Sequence, residues 1–300
     1  MNKVLILGIN GFTGYHFQRY IEKHGLSRKY RFLGVDKAFN GSCAIKFKKA
    51  DLLNYRSLSA LITDYSPDYI INFAGIFSSK DIDTMLEINA CVSKNLFEII
   101  LKNSIKVKNV LLIGSAAEYG LNSKPSTKES ERLCPMNYYG LSKVIQTEYA
   151  QFYNSAFNIN VNVARTFNMI GEHISPSLSI GSFVSQINNA ANGDSINVGN
   201  LNTKRDFLDV EDVIDAYWKI VLKGKPGTIY NVCSGKAYFM KDVLRSMIRR
   251  SKKRISVTVR KDHFKKNDIP VSYGDNSKLR KDTGWKEKSG FEAAISRIIR

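Results

Sequence analysis

Short runs of valine, isoleucine and leucine alternate with amphipathic stretches through the first half of this 300-residue chain, and that alternation restricts the fold more than any other feature. VLILG, RFLGVD, DYIINFAG and NVLLIGS read as strands, with helix-like segments at Tyr15 to His24 and Thr84 to Lys102 between them. Strand-length apolar runs joined by helices make βαβ units, and their continuous apolar character suits strands covered on both faces. The expected fold class is α/β, a doubly wound parallel sheet with a smaller α/β C-terminal lobe.

Later elements are less regular. A helix is expected after Pro135, through Tyr139 to about Phe152, followed by a strand in INVNVARTFN, short strands in INVGN and TIYNVCSG, and helices at Val213 to Leu222 and Met240 to Arg250. The expected organisation is a first domain over residues 1–168 and a second lobe over 169–300, with some elements interleaved.

With 43% hydrophobic residues, the chain can bury a core without disulfides or structural metal. Cys43, Cys91, Cys134 and Cys233 are scattered and form no C-x-x-C pair, which argues against a zinc site or a disulfide framework. The opening apolar run is interrupted at Gly8 and Gly11, too short for a signal sequence or a membrane span. A cytoplasmic location and no membrane partner are therefore expected.

The formal net charge of +18 fits nucleic-acid binding, an anionic membrane surface or anionic substrates. Basic residues crowd late in the chain, at Arg249, Arg250, Lys252, Lys253 and Arg254 and again from Arg260 to Lys266. No helix-turn-helix, zinc-finger, RRM or KH pattern accompanies them, so no nucleic-acid partner is expected and the runs read as a solvated basic face.

Gly8, Gly11 and Gly14 fall between the first strand and the first helix in a G-x-x-G-x-x-G spacing. A dinucleotide pyrophosphate needs glycine there for the turn, for close approach and for helix packing, with Phe12 and Thr13 at the helix start as further contacts. This is the pattern of a Rossmann-type domain. Asp36 closes the second strand, about twenty residues beyond the glycines, where an acidic side chain accepts from an adenosine ribose and repels a 2′-phosphate, favouring NAD over NADP. Asp36 also reads as a turn former after a strand. Lys37, Asp51 and Leu52 are further candidates, as are Phe73, Ala74 and Gly75 after DYIIN, where small residues let a strand end lie against the cofactor.

Ser115 lies just past NVLLIG, at the end of a strand where open α/β sheets bind ligands. Tyr139 and Lys143 are four residues apart and share one helix face. A lysine ammonium there is expected to lower the phenol's pKa and make Tyr139 an acid/base, with Ser115 bonding the same substrate oxygen. Among 15 tyrosines, a Y-x-x-x-K pair arises by chance roughly once in such a chain, so order and context carry the assignment.

The ordered set of glycine turn, Asp36, N-x-A-G, Ser115 and Tyr139-to-Lys143 resembles the extended short-chain dehydrogenase/reductase superfamily, whose members use nicotinamide cofactors. The likeness continues through R-x-F-N at Arg165 to Asn168, the segment from Val198 to Val213, YNVCSG and IPVSYGDNSKLRKDTGW. It is nearest to the GDP-4-keto-6-deoxy-mannose reductases and GDP-mannose 4,6-dehydratases of surface-glycan sugar synthesis. The resemblance implies NAD as cofactor, with Asn89, Tyr139 and Lys143 also touching it. It implies a GDP-linked sugar as substrate, contacted by Ser115, Ala116, Asn168, Val198, Arg205 and Lys265, and a homodimer.

Two departures sharpen the expectation. The dehydratase acid would fall at Ala117, and Glu118 is one place later, on the opposite side of an extended segment. The reductases carry a basic residue after the second strand, where this chain has Asp36. The expected activity is hydride transfer at C4 of the sugar, as a 4-dehydrogenase or 4-keto reductase, with 4-epimerisation as the alternative, 4,6-dehydration less favoured, and a non-catalytic dinucleotide- or nucleic-acid-binding relative as the reading from another class.

Overall fold

The computed structural model describes residues 1–38, 45–121, 126–264 and 268–299; the candidate Lys265 lies outside them. In chain order, β1 (Asn2–Leu7), α1 (Phe12–Lys23), β2 (Tyr30–Asp36), β3 (Lys46–Lys49), α2 (Tyr55–Tyr65) and β4 (Tyr69–Asn72) come first. Then follow α3 (Ile82–Leu86), a π-helical turn (Glu87–Cys91), α4 (Val92–Lys102), β5 (Asn109–Ser115), β6 (Ser126–Thr127), α5 (Tyr138–Phe157) and β7 (Val161–Thr166). The second half holds β8 (Asn168–Ile170), α6 (Ser179–Asn189), β9 (Ser195–Val198), β10 (Lys204–Arg205), β11 (Phe207–Asp209), α7 (Val210–Lys223) and β12 (Ile229–Val232). It closes with β13 (Tyr238–Phe239), α8 (Met240–Ser251), β14 (Ser256–Val259), β15 (Val271–Gly274), α9 (Ser277–Thr283) and α10 (Phe291–Ile298).

The main sheet runs β3-β2-β1-β4-β5-β7-β12, with every pairing parallel. The apolar runs form it because both faces are covered. Phe17, Tyr217 and Trp218, on α1 and α7, pack one face, and Leu58, Leu96, Phe97 and Tyr153, on α2, α4 and α5, pack the other. A third core around Phe183, Val243, Met247 and Ile295 builds the C-terminal lobe. The chain reverses its winding between β1 and β4, which opens a crevice at the strands' carboxyl ends.

The interleaving across residue 168 is substantial. The strand β12 completes the main sheet beside β7, and α7 packs beneath it, so residues well beyond 168 belong to the first layer system. The segment from Thr84 to Lys102 is interrupted by the π-helical turn. The helix carrying Tyr139 extends past Phe152 to Phe157, where Asn158 at φ 56° makes a left-handed cap.

Candidate active site

A cavity of about 430 Å³ lies at the crevice, lined by Gly8, Gly11, Asp36, Lys37, Leu52, Phe73, Ala74 and Gly75. Gly8 has φ +77°, and an added Cβ would stand 2.5 Å from the Ala74 backbone nitrogen, so only glycine fits. Gly11 caps α1 without a side-chain bond, and the first turn of that helix holds no acid. Its free N–H groups and positive dipole end suit a diphosphate. Asp36 is fixed at the rim, accepting from the backbone N–H of Asn10 at 3.0 Å and of Lys37 at 2.8 Å. These residues fit a dinucleotide.

Other expected cofactor contacts are placed differently. Gly14 lets α1 pack on the Ile9 backbone, where a Cβ would collide. Phe12 lies edge-on to His16 with ring centres 4.9 Å apart, and Thr13 sits in the first turn of α1. Asp51 pairs with the Lys37 ammonium at 3.2 Å. Asn89 is fully buried, and its side chain grips both backbone groups of Ile76 at 2.8 Å and donates to Ser142 Oγ at 2.9 Å. It holds the cavity loop to α5 instead of lining the cavity. Asn10, Leu53, Ile76, Ile88 and Val92 line the cavity without having carried a sequence signal.

Ser115 ends β5 and caps a short 3₁₀ turn, accepting from the Ala117 N–H at 3.1 Å. Asn137 caps α5 through the Gly140 N–H at 2.8 Å, and a Cβ on Gly140 would stand 2.5 Å from the Ala117 carbonyl oxygen. That close approach brings the half-buried Tyr139 beside Ser115. Lys143 lies one turn on, nearly buried, donating to the Ile113 carbonyl at 2.9 Å and to Gln146 Oε1 at 3.0 Å.

The electrostatics correct one expectation. Burial raises the Tyr139 phenol above its ordinary value, opposed by the neighbouring Ser115 hydroxyl and reinforced by the Glu118 charge. Burial also pushes Lys143 down to about 8, against the pull of Glu118. The lysine was expected to lower the phenol, but its ammonium is directed to Ile113 and Gln146, and desolvation of the phenolate dominates.

Glu118 does not face a substrate. It is fully buried, takes the Ser115 N–H on Oε1 at 2.8 Å, and takes Thr147 Oγ1 at 2.9 Å and Arg165 Nε at 2.7 Å on Oε2. Burial raises its carboxyl while Arg165 and the hydrogen bonds oppose that. It clamps the end of β5 to α5 and β7.

On the substrate side, Ala116 opens the 3₁₀ turn and packs with Tyr119, Phe167 and Cys233. Asn168 is exposed at the start of β8, its amide donating to the Asp206 carbonyl at 2.9 Å. Arg205 bonds Asp268 Oδ1 and the Ile269 carbonyl, both at 2.6 Å. Asp206 is buried, taking N–H groups of Ser234, Gly235 and Gly274 and so joining three loops. Val198 is 2% exposed in the lobe's core, and its carbonyl accepts from the Arg260 N–H. The alternation of β9 turns this residue inward. Among the described residues, no group of three His, Cys, Asp or Glu is placed to hold a metal, and no helix is long and apolar enough to cross a membrane.

The sequence model of the NAD dependent epimerase/dehydratase family matches residues 4–233. The chain is 26% identical to the GDP-6-deoxy-D-mannose reductase of Pseudomonas aeruginosa, covering 99% of this chain and 96% of that protein. It is 24% identical to the GDP-6-deoxy-D-talose 4-dehydrogenase of Aggregatibacter actinomycetemcomitans, over 92% and 90% of the two chains. Among solved structures, a putative epimerase from Burkholderia cenocepacia superposes with a TM-score of 0.89 at 25% identity, covering 99% and 97%. RMD of Pseudomonas aeruginosa, complexed with NADPH, superposes with a TM-score of 0.85 at 26% identity, covering 100% and 98%. This chain belongs to the NAD-dependent epimerase/dehydratase family, and it is an NAD(P)-dependent oxidoreductase of the short-chain dehydrogenase/reductase superfamily.

Proposed function

We propose that this enzyme transfers a hydride between NAD(H) and C4 of a GDP-linked sugar, with Tyr139 exchanging the proton of the C4 oxygen. The observation that carries the reading is the placement of Tyr139 beside Ser115 at the end of β5, with Lys143 one helical turn on and the glycine-floored cavity alongside. Bound NAD(H) supplies the hydride acceptor or donor. Tyr139 gives or takes the proton, Ser115 orients the substrate oxygen, and Lys143 holds positive charge near the phenol. The GDP preference rests on the two curated relatives, both of which act on GDP-linked 6-deoxy sugars by name.

Dehydration is disfavoured because Ala117 offers no acid and Glu118 is spent inside the fold on Arg165, Thr147 and Ser115. The test is incubation with a panel of GDP-, UDP- and dTDP-linked sugars and their 4-keto forms, following NADH absorbance and product mass. A change of two hydrogens on a GDP sugar is expected. Inversion at C4 without net change in NADH would select the epimerase alternative, and loss of one water would overturn the exclusion of dehydration.

Asp36 is the basis for preferring NAD. Its carboxylate is pinned at the cavity rim, and the neighbouring cation, Lys37, is engaged by Asp51. Asp36→Ala is expected to move the kcat/KM ratio toward NADP by about tenfold or more, by removing a charge that repels the 2′-phosphate. Unchanged preference in steady-state kinetics would remove Asp36 from that role. A homodimer is also proposed, with Leu141, Phe152 and Phe157 exposed along α5 as its apolar face; a monomeric mass by light scattering would contradict it.

A further inference from the structure

Beneath the proton-transferring pair, a chain of buried polar side chains runs from α5 across α4 to the end of β4. Lys143 and Gln146 are three residues apart on one helix face. Lys143 Nζ donates to Gln146 Oε1 at 3.0 Å, and Gln146 Nε2 donates to Ser93 Oγ at 3.0 Å. The Ser93 oxygen takes a second N–H from Asn72 Nδ2 at 3.2 Å, and Asn72 Oδ1 accepts from the Ala74 backbone N–H at 3.1 Å. Gln146 and Ser93 are 0% exposed, Asn72 1% and Lys143 4%. An ammonium has no acceptor, so it can face only the carbonyl end of the Gln146 amide, and the orientation of the whole chain is thereby set. A satisfied buried network of this kind specifies one arrangement of its members.

We propose that Gln146 is a positioning residue for proton transfer, fixing the Lys143 ammonium against the Ile113 carbonyl and tying it, through Ser93 and Asn72, to the Ala74–Gly75 turn of the cofactor cavity. Two of the three ammonium N–H groups are committed to Ile113 and Gln146, which leaves one for the active site. Gly75 admits this closeness, because a Cβ there would stand 3.4 Å from Lys143 Nζ and 3.0 Å from Asn89 Oδ1. The same turn lines the dinucleotide cavity, so the placement of the lysine and the wall of the cofactor site are set together. The proposal rests on reading Tyr139 and Lys143 as the proton-transferring pair.

The charged group that acts on Lys143 is Glu118 on the 3₁₀ turn after β5. Gln146 adds hydrogen bonds without charge, so its replacement by a carboxylate has a signed consequence. Trace acetylation of the whole enzyme over a pH series, with the Lys143 peptide quantified by mass spectrometry, reads the lysine's midpoint independently of turnover. Gln146→Glu should move that midpoint up by roughly one pH unit or more. Gln146→Leu should move it down and lower kcat by about a hundredfold, because a misplaced catalytic group is costly, with little change in KM for the sugar nucleotide. Ser93→Ala should give a smaller loss in kcat while leaving the midpoint near that of the parent. Folded Gln146 variants whose midpoint and kcat both match the parent would overturn the proposal. If the midpoints move but the parent turns over no nucleotide sugar, the link between Gln146 and Lys143 stands and the activity reading falls.

Discussion

Tyr139→Phe should lower turnover by about 10²–10⁴-fold, the usual contribution of a positioned acid or base, while NADH binding is retained. Tyr139 is the second residue of α5, beside Ser115, and the substitution removes only its hydroxyl. The direction of its pKa makes a second statement about pH. Burial holds the phenol above its ordinary value, so at neutral pH Tyr139 keeps its proton, which in the proposed reaction suits ketone reduction. Reduction should therefore be fastest at neutral pH, and alcohol oxidation, which needs the phenolate, should speed up as pH rises. Rates in both directions across a pH series, with NADH binding followed by fluorescence, check these outcomes. Near-parent turnover in the folded variant would remove Tyr139 from the chemistry.

Arg165→Ala is expected to destabilise the fold by about 3–5 kcal/mol, because it strands a buried carboxylate. Arg165 and Glu118 have side chains only 3% and 0% exposed and meet at 2.7 Å. Gly114 makes room for this arrangement, since a Cβ there would stand 2.5 Å from Glu118 Oε1. Loss of the guanidinium leaves Glu118 with the Ser115 N–H and the Thr147 hydroxyl. The sign with pH follows from the carboxyl's raised value. Without Arg165 its folded-state pKa rises further, so the folded state holds the proton more tightly than the unfolded chain does. The deficit should be smallest below the ordinary carboxylate range and should grow as pH rises through the raised value. The double variant Glu118→Gln, Arg165→Met removes both charges and should cost less than the sum of the single changes. Urea midpoints with unchanged m-values measure this, and strict additivity would show that the pair is not coupled.

What could be read from the sequence was local. The strands of the main sheet and the glycines at 8, 11 and 14 announce themselves in runs of a few residues, and their placement follows from apolar burial and close backbone approach. Ser115, Tyr139 and Lys143 were recognisable because their order along a βαβ chain fixes them at one strand end. Features that depend on distant partners were not readable. Asn89 looked like a cofactor contact, yet its amide turns to Ile76 and Ser142, the latter on a helix far along the chain. Arg205, read as a phosphate ligand, also pairs with Asp268, 63 residues on, which no local pattern announces. Val198 sits in a strand too short to show its inward face by pattern. The phenol shift had the opposite sign to the sequence expectation because the depth of Tyr139 outweighs a lysine that points elsewhere. The completion of the sheet by β12 was hidden for the same reason, since strand pairing with β7 joins residues 66 positions apart, as Val163 with Ile229.

The most direct measurement is isotope transfer. NADH deuterated on its transferable position is mixed with the enzyme and a GDP-4-keto-6-deoxy sugar, and the product is examined by NMR and mass spectrometry. The account predicts a single deuterium on C4, no loss of water, and a rate that collapses in Tyr139→Phe. Deuterium at another carbon, or a product lighter by one water, would contradict it.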